Sequence, residues 1–374
     1  MRIVGLTNGT PANAQYRVGL PLAALAQRGH ETEAHEWSPD AAERLRAALR
    51  EADAVLMWRL YMEAERRFAT ALRDAGVAIV WDNDDDLVRV RPQVNTRATV
   101  AREQAHRELS AVMRLADVVT TTSGELARRF RRMGAGSVKV IDNYIATDSL
   151  QPPRQPRGDG VTIGWIAAAE HRADLKQLQL RSVLERVLRR HPEARVVSIG
   201  VELGIRSDRY TWRAGVDFSQ LSAAASEFDI AIAPIADASF NRARSRVKLK
   251  EYAAAGVPWL ASPVGPYREM GEAHGGRLVP DALWQRRLEE LIGDADARRE
   301  LGRRAAAWAQ TQTIDVNAEL WEATFAEAVQ RARGRRGDAP PPAAAPVEDA
   351  APAPPPANGG GLLRRLTRRG RAGR

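Results

Sequence analysis

The 374-residue chain contains no cysteine, which excludes disulfides, thiolate nucleophiles and thiolate metal ligands. Lysine is nearly as scarce: Lys139, Lys176, Lys248 and Lys250 are the only four among 56 basic residues, and Lys248 stands out against the arginines. No uninterrupted apolar run is long enough to span a bilayer, and the opening MRIVGLTNGT lacks the basic and apolar regions of a secretion signal. The expectation is a cytoplasmic protein, with at most peripheral contact at the inner face of a membrane.

What is present is ordinary globular composition, 44% hydrophobic, in a length that exceeds one comfortable core. The formal charge of +9 is unevenly spread. Residues 331–374 hold ten arginines against Asp338, Glu348 and Asp349, so most of the excess lies in the tail and says little about the folded body. Residues 334–361 are rich in Pro, Ala and Gly and are expected to be disordered. The closing GLLRRLTRRGRAGR reads either as a solvated basic tail or as a short basic helix suited to an anionic membrane.

Between residues 2 and 141, segments that read as strands at 2–6, 31–37, 54–60, 77–82, 118–122 and 138–141 alternate with helical segments. The stretch QPPRQPRGDG, residues 151–160, breaks every period and marks a boundary. Beyond it the alternation resumes: strands at 161–166, 195–199, 230–235, 257–262 and 277–279, with a helix over 172–190 and others near 284–292 and 297–309. Such alternation predicts α/β architecture, two Rossmann-like domains whose parallel sheets carry helices on both faces. Ligands then sit off the carboxyl ends of the strands.

The most informative stretch is 228–270. An apolar strand leads through a polar loop into a helix predicted from about residue 243, closed by Gly256 as a left-handed cap before the next strand. Ser245, Lys248 and Glu251 recur every third residue and so climb one face, with Ser245 in or near the first turn. A helix start and a lysine one turn on suit a phosphate, and a carboxylate beyond them can accept two hydroxyl hydrogen bonds, as a ribose requires. A capping serine with two solvated charges would give the same spacing.

The run KLKEYAAAGVP followed by SPVGPYRE resembles the donor-binding motif of the two-Rossmann-domain (GT-B) glycosyltransferases, in their retaining "group 1" branch. The resemblance implies that Glu251, five residues before Gly256, holds the nucleotide ribose and that Lys248 holds the diphosphate. The family often places a further glutamate, in contact with the transferred sugar, eight positions earlier, where this chain has Ala243. Asn241 and Arg242, in the loop before the helix, and Gly265 after the following strand complete the implied donor site; Arg244 is an alternative to Arg242.

GWIAAAEHRADL, from Gly164, resembles the same family's turn after the first strand of the donor domain, with Ala167 and Ala168 replacing its Gly and Ser or Thr. His171 there reads as a donor to phosphate or sugar, or as a plain helix cap. In the first half, TNGTPANAQYRVG places Asn8 and Gly9 at the end of the first strand, and Tyr16 and Arg17 resemble the family's Tyr-Arg pair; these are read as acceptor-side residues, with a donor-proximal place or an ordinary connecting loop as the alternatives. The acidic DNDDDL, residues 82–87, admits three readings: a divalent-metal site, a solvated loop, or carboxylates that serve the acceptor. Asp82 or Asp84 is the expected choice among them, with no metal.

The implied domains are an acceptor domain over 1–150, a donor domain over 161–316, a helix over 317–333 that returns to the first domain, and the tail. The implied activity is metal-independent and retaining, as the resemblance implies, with Lys248, His171 and Asp82 as catalytic candidates and no cofactor beyond a nucleotide-diphosphate sugar as co-substrate. The acceptor class is open among glycans, lipid-linked molecules and proteins, and no nucleic-acid partner is expected. A nucleotide-sugar epimerase and a non-catalytic sugar-nucleotide-binding protein share the architecture and stay as alternatives.

Overall fold

A computed structural model of the chain holds twelve strands in two all-parallel six-stranded sheets. The residues described are 1–9, 12–89, 102–152, 158, 160–168 and 171–336. The first sheet contains β1 (Arg2–Thr7), β2 (Glu31–Glu36), β3 (Ala54–Trp58), β4 (Ala78–Asp82), β5 (Val118–Thr121) and β6 (Val138–Val140), in the order β2-β1-β3-β4-β5-β6. The second contains β7 (Val161–Ala167), β8 (Ala194–Gly200), β9 (Tyr210–Arg213), β10 (Ile230–Ala233), β11 (Trp259–Ala261) and β12 (Gly276–Leu278), in the order β12-β11-β10-β7-β8-β9. Every residue of β3, β4, β5 and β10 is buried, which is why these strands read as unbroken apolar runs rather than alternations.

Helices cover both faces: α1 (Leu20–Gln27), α2 (Pro39–Arg50), α3 (Glu63–Asp74), α4 (Arg102–Leu115) and α5 (Gly124–Arg132) belong to the first half. The second half holds α6 (Arg172–Gln177), α7 (Leu180–Arg190), α8 (Leu221–Ala225), α9 (Val247–Ala254), α10 (Trp284–Gly293), α11 (Ala295–Gln310) and α12 (Ile314–Arg336). The last helix packs on the first sheet, where Ile314, Trp321 and Phe325 share a buried cluster with Ile3, Leu22 and Leu56. Both sheets lie within one compact unit.

The second sheet has the doubly wound order, with its direction of growth reversing between β7 and β10; in the first sheet the reversal falls between β1 and β3. Crevices at such reversals, off the carboxyl ends of the strands, are where open α/β sheets hold ligands.

Several local expectations are corrected. The helix expected from about residue 243 begins at Val247, because Asn241–Ala243 form a separate 3-10 turn, and Ser245 lies in the loop between them. The single helix expected over 172–190 is broken at Gln179, whose φ of 49° is left-handed. The chain before α1 forms a π-helical turn, Gln15–Gly19. Strand β9 and helix α8 had no counterpart in the sequence reading. Gly256 does adopt the left-handed cap, at φ 63°. The basic tail and most of the segment at 151–160 lie outside the described residues.

Candidate functional site

Helix α9 stands at the reversal of the second sheet. Its Tyr252 hydroxyl accepts from the Ile166 N–H near the end of β7 (3.1 Å) and donates to the Ile232 carbonyl of β10 (3.1 Å), so it ties the helix across the crevice. On the same side, the Lys248 ammonium donates to the Ile166 carbonyl, and Glu251 lies close enough for the lysine charge to favour its ionised form. Lys248 is half-buried and Glu251 buried. The face that carries Lys248 and Glu251 therefore points to the carboxyl end of β7.

Glu251 is fastened at both oxygens. Tyr16, from the π-helical turn after β1, donates to Oε1 at 2.6 Å, and Ser222 of α8 donates to Oε2 at 2.9 Å. Burial raises the Glu251 carboxyl above the ordinary carboxylate range; the two hydroxyls and Lys248 oppose this without cancelling it. Tyr16 was expected on the acceptor side, yet its polar contact is with this donor-side candidate.

The other face of α9 docks on the first half of the chain. Lys248 and Lys250 are separated by about 200° around a helix of 3.6 residues per turn, so they look in nearly opposite directions. Lys250 is fully buried. Its ammonium donates to the Asn143 carbonyl at 2.8 Å, pairs with Asp142 at 3.0 Å and sits 4.3 Å from the centre of the Tyr144 ring. Arg246, one turn earlier, pairs with the same Asp142 at 2.7 Å. Burial brings the Lys250 ammonium down to about 8, despite Asp142. A cavity of about 510 Å³ opens on this side, with Ser123, Asp142, Arg242, Arg246, Gly265 and Glu269 among its walls.

His171 is buried and does not stand alone: its Nδ1 is 3.0 Å from Oδ2 of Asp174. Oδ1 of Asp174 accepts from the Asn241 amide (2.8 Å) and the Ala236 N–H (3.2 Å), and Asn241 also donates to the Ala236 carbonyl (2.9 Å). Burial would raise the Asp174 carboxyl, but these hydrogen bonds, with His171 first, hold it below its usual value. Gly265, at φ 56°, packs where a Cβ would stand 2.8 Å and 2.9 Å from the Asn241 and Arg242 carbonyls. The structure thus joins His171, Asn241 and Gly265 in one polar scaffold under the β10–α9 loop. Arg242 is exposed and paired with Asp237 at 2.6 Å; Ser245 accepts from the Asn143 amide at 3.3 Å.

Arg17 and Asp82 find each other. Both are fully buried: Nε and Nη2 of Arg17 donate to the Asp82 carboxylate at 2.5–3.2 Å, and Thr120 adds a hydroxyl at 2.5 Å. Nη1 of Arg17 donates to the Ile141 carbonyl (2.6 Å) and to Asn143 (3.1 Å), and its guanidinium lies 4.9 Å from the Trp321 ring centre. Burial nevertheless raises the Asp82 carboxyl. Asp84 accepts from Trp58 (3.1 Å) and Arg59 (2.7 Å), Asp85 from Arg59 (2.5 Å), and Asp86 pairs with Arg129. The DNDDDL acids are thus each met by an arginine. Asn8 donates to the Arg59 carbonyl at 3.3 Å, and Gly9 has φ 76°. Among the described residues no cluster of three or more His, Asp or Glu is arranged to hold a metal ion.

Ala243, where the resembled family carries a sugar-contacting glutamate, is fully buried. It belongs to the same core cluster as Trp81, Leu126 and Phe130 of the first half, and its carbonyl accepts from Ser123 at 2.8 Å. Sequence reasoning missed Ser222, Lys250, Asp142 and Arg59. Only the rarity of lysine could have drawn attention to Lys250.

This pair of facing Rossmann-like halves, with a C-terminal helix packed on the first, is the GT-B fold. Among solved structures, the chain is similar to the sucrose-phosphate synthase from Thermosynechococcus elongatus (16% identity, 87% of this chain and 99% of that one, TM-score 0.66). It is also similar to HepE from Anabaena in complex with UDP and glucose (13% identity, 87% and 100%, TM-score 0.64). A protein described as a putative UDP-N-acetylglucosamine 2-epimerase from Listeria monocytogenes shares the architecture too (12%, 88% and 96%, TM-score 0.56). No family model and no curated protein matches the sequence.

Proposed function

We propose that the protein transfers a sugar from a nucleotide-diphosphate donor to an acceptor, with the donor seated at the reversal between β7 and β10. The observation that carries this reading is the shared face of α9, where Lys248 and Glu251 meet the end of β7 and the first half of the chain reaches in through Tyr16. A compact ammonium beside a hydroxyl-accepting carboxylate matches a diphosphate linked to a ribose. The likeness to HepE, whose structure holds UDP and glucose, supports the choice of ligand class.

In this reading the difficult event is departure of the diphosphate, and Lys248 stabilises the negative charge that grows on it. Glu251 positions the ribose and takes no part in bond making. Arg242 is exposed beside Asp237 and could swing to the diphosphate only by leaving that pair. His171, Asn241 and Gly265 hold the loop in shape. Arg17 and Asp82 act as a buried strut, since neither presents surface to a substrate. The transfer proceeds without a metal at the reaction centre and with retention at the anomeric carbon, as the resemblance implies.

The test is product analysis with UDP-, GDP- and ADP-sugars. Acceptor-dependent release of the nucleoside diphosphate supports transfer. A new epimer formed without acceptor would replace it by the epimerase reading, which the Listeria likeness keeps open. Binding without any turnover would leave a sugar-nucleotide-binding protein.

A further inference from the structure

Tyr16 comes from the first half of the chain, yet the hydrogen bond of its hydroxyl ends on Glu251 in the second. Its ring is buried and meets Phe218 edge-on, with centroids 4.7 Å apart. Phe218 opens the short turn that runs directly into α8, the helix that brings Ser222 to the other oxygen of Glu251. One packed unit therefore delivers both hydroxyls.

A carboxylate held at one oxygen can still rotate about its last bond; held at both, its plane is fixed. Each carboxylate oxygen has two acceptor directions, so Tyr16 and Ser222 use one apiece and leave one apiece. Two acceptor directions therefore remain, one on each oxygen, and a vicinal diol has two hydroxyls to fill them.

We infer that Tyr16 is a positioning residue of the donor site: reaching across from the first half, it orients Glu251 so that the carboxylate can accept both ribose hydroxyls. The inference rests on the reading of Glu251 as the ribose partner. It moves Tyr16 from the acceptor side to the donor side, and it makes ribose binding depend on the docking of the two halves. A second effect follows from the same contact. The hydroxyl favours the ionised carboxylate against burial, together with Ser222 and Lys248, while Tyr252 is the other titratable group near Glu251. Its removal drives the Glu251 carboxyl further upward.

Calorimetry with UDP, GDP, ADP and the matching nucleosides identifies the base on the native protein. With that pair, Tyr16→Phe is expected to weaken nucleoside and diphosphate by the same factor, on the order of 10. The acid limb of nucleoside affinity is expected to move to higher pH, a shift that a merely structural loss would not cause. Ser222→Ala, which leaves the interdomain contact in place, is expected to move both quantities the same way, and it decides the matter if Tyr16→Phe does not fold. Unchanged affinity in a folded Tyr16→Phe variant would reduce the residue to a strut, and tighter affinity would make it a competitor of the ribose; either overturns the inference. Failure of the underlying reading looks different: Glu251→Gln would then bind nucleoside as well as the native protein does.

Discussion

Arg17 spends its guanidinium on Asp82, the Ile141 carbonyl and Asn143, with Trp321 below, so one side chain joins the turn after β1 to β4, the end of β6 and α12. Truncating it would strand a fully buried carboxylate. Arg17→Ala is expected to lower unfolding free energy by about 3–5 kcal/mol in urea titrations, and Arg17→Ala combined with Asp82→Ala by clearly less. A loss below 1 kcal/mol would mean that the pair is not sealed from water. Ala243 gives a second test at the same scale. Glutamate at this position would thrust a carboxylate into the core cluster that holds Trp81 and Phe130, so Ala243→Glu is expected to destabilise by about 3 kcal/mol or more rather than improve sugar handling. A variant of native melting temperature would show that position 243 opens onto the groove instead.

At the scale of elements, α9 works because its two faces do different things. Lys248 and Glu251 look to the switch point, and Arg246 and Lys250 dock on Asp142 and Asn143. The docking face carries a pH signature. Lys250 falls from 10.5 to about 8 on burial, with Asp142, Arg246, Arg17 and Tyr144 around it. A lysine depressed in the folded state binds fewer protons there than in the unfolded chain between those two values, so its contribution makes stability rise with pH from about 8 to about 10.5. Below about 8 the contribution is flat. Lys250→Met is expected to remove that rise, as read from unfolding midpoints across the range; an unchanged slope would place the ammonium in water.

The same helix shows what a sequence can and cannot tell. That Lys248 and Glu251 share a face was legible because they are three apart, and the end of the helix because a glycine closes it, at φ 63°. The central strands β3, β4, β5 and β10 were legible because both their faces are buried. Strand β9, YTWR, was not: it is an edge strand whose central residues are exposed, so no apolar run marks it. Helix α8 is five residues long and shows no period. Most of all, the partners of the site are tertiary facts. Nothing in the run around Tyr16 announces Glu251, 235 positions away, and nothing near Asp82 announces that Arg17 will close over it.

Taken whole, the molecule is two Rossmann-like sheets whose carboxyl ends converge on one helix. Contacts from after β1, β5 and β6 reach α9 or its leading loop, through Tyr16, Ser123, and Asp142 with Asn143. The fold leaves the ligand to be settled by chemistry, and the proposed chemistry turns on Lys248. Calorimetry of nucleoside diphosphate and parent nucleoside, on the native protein and on Lys248→Ala, separates the phosphate contribution from the ribose contribution. The expected result is a diphosphate affinity reduced about 10- to 100-fold with nucleoside affinity nearly unchanged. Equal losses for both ligands, or no binding of either to the native protein, would contradict a donor site at α9.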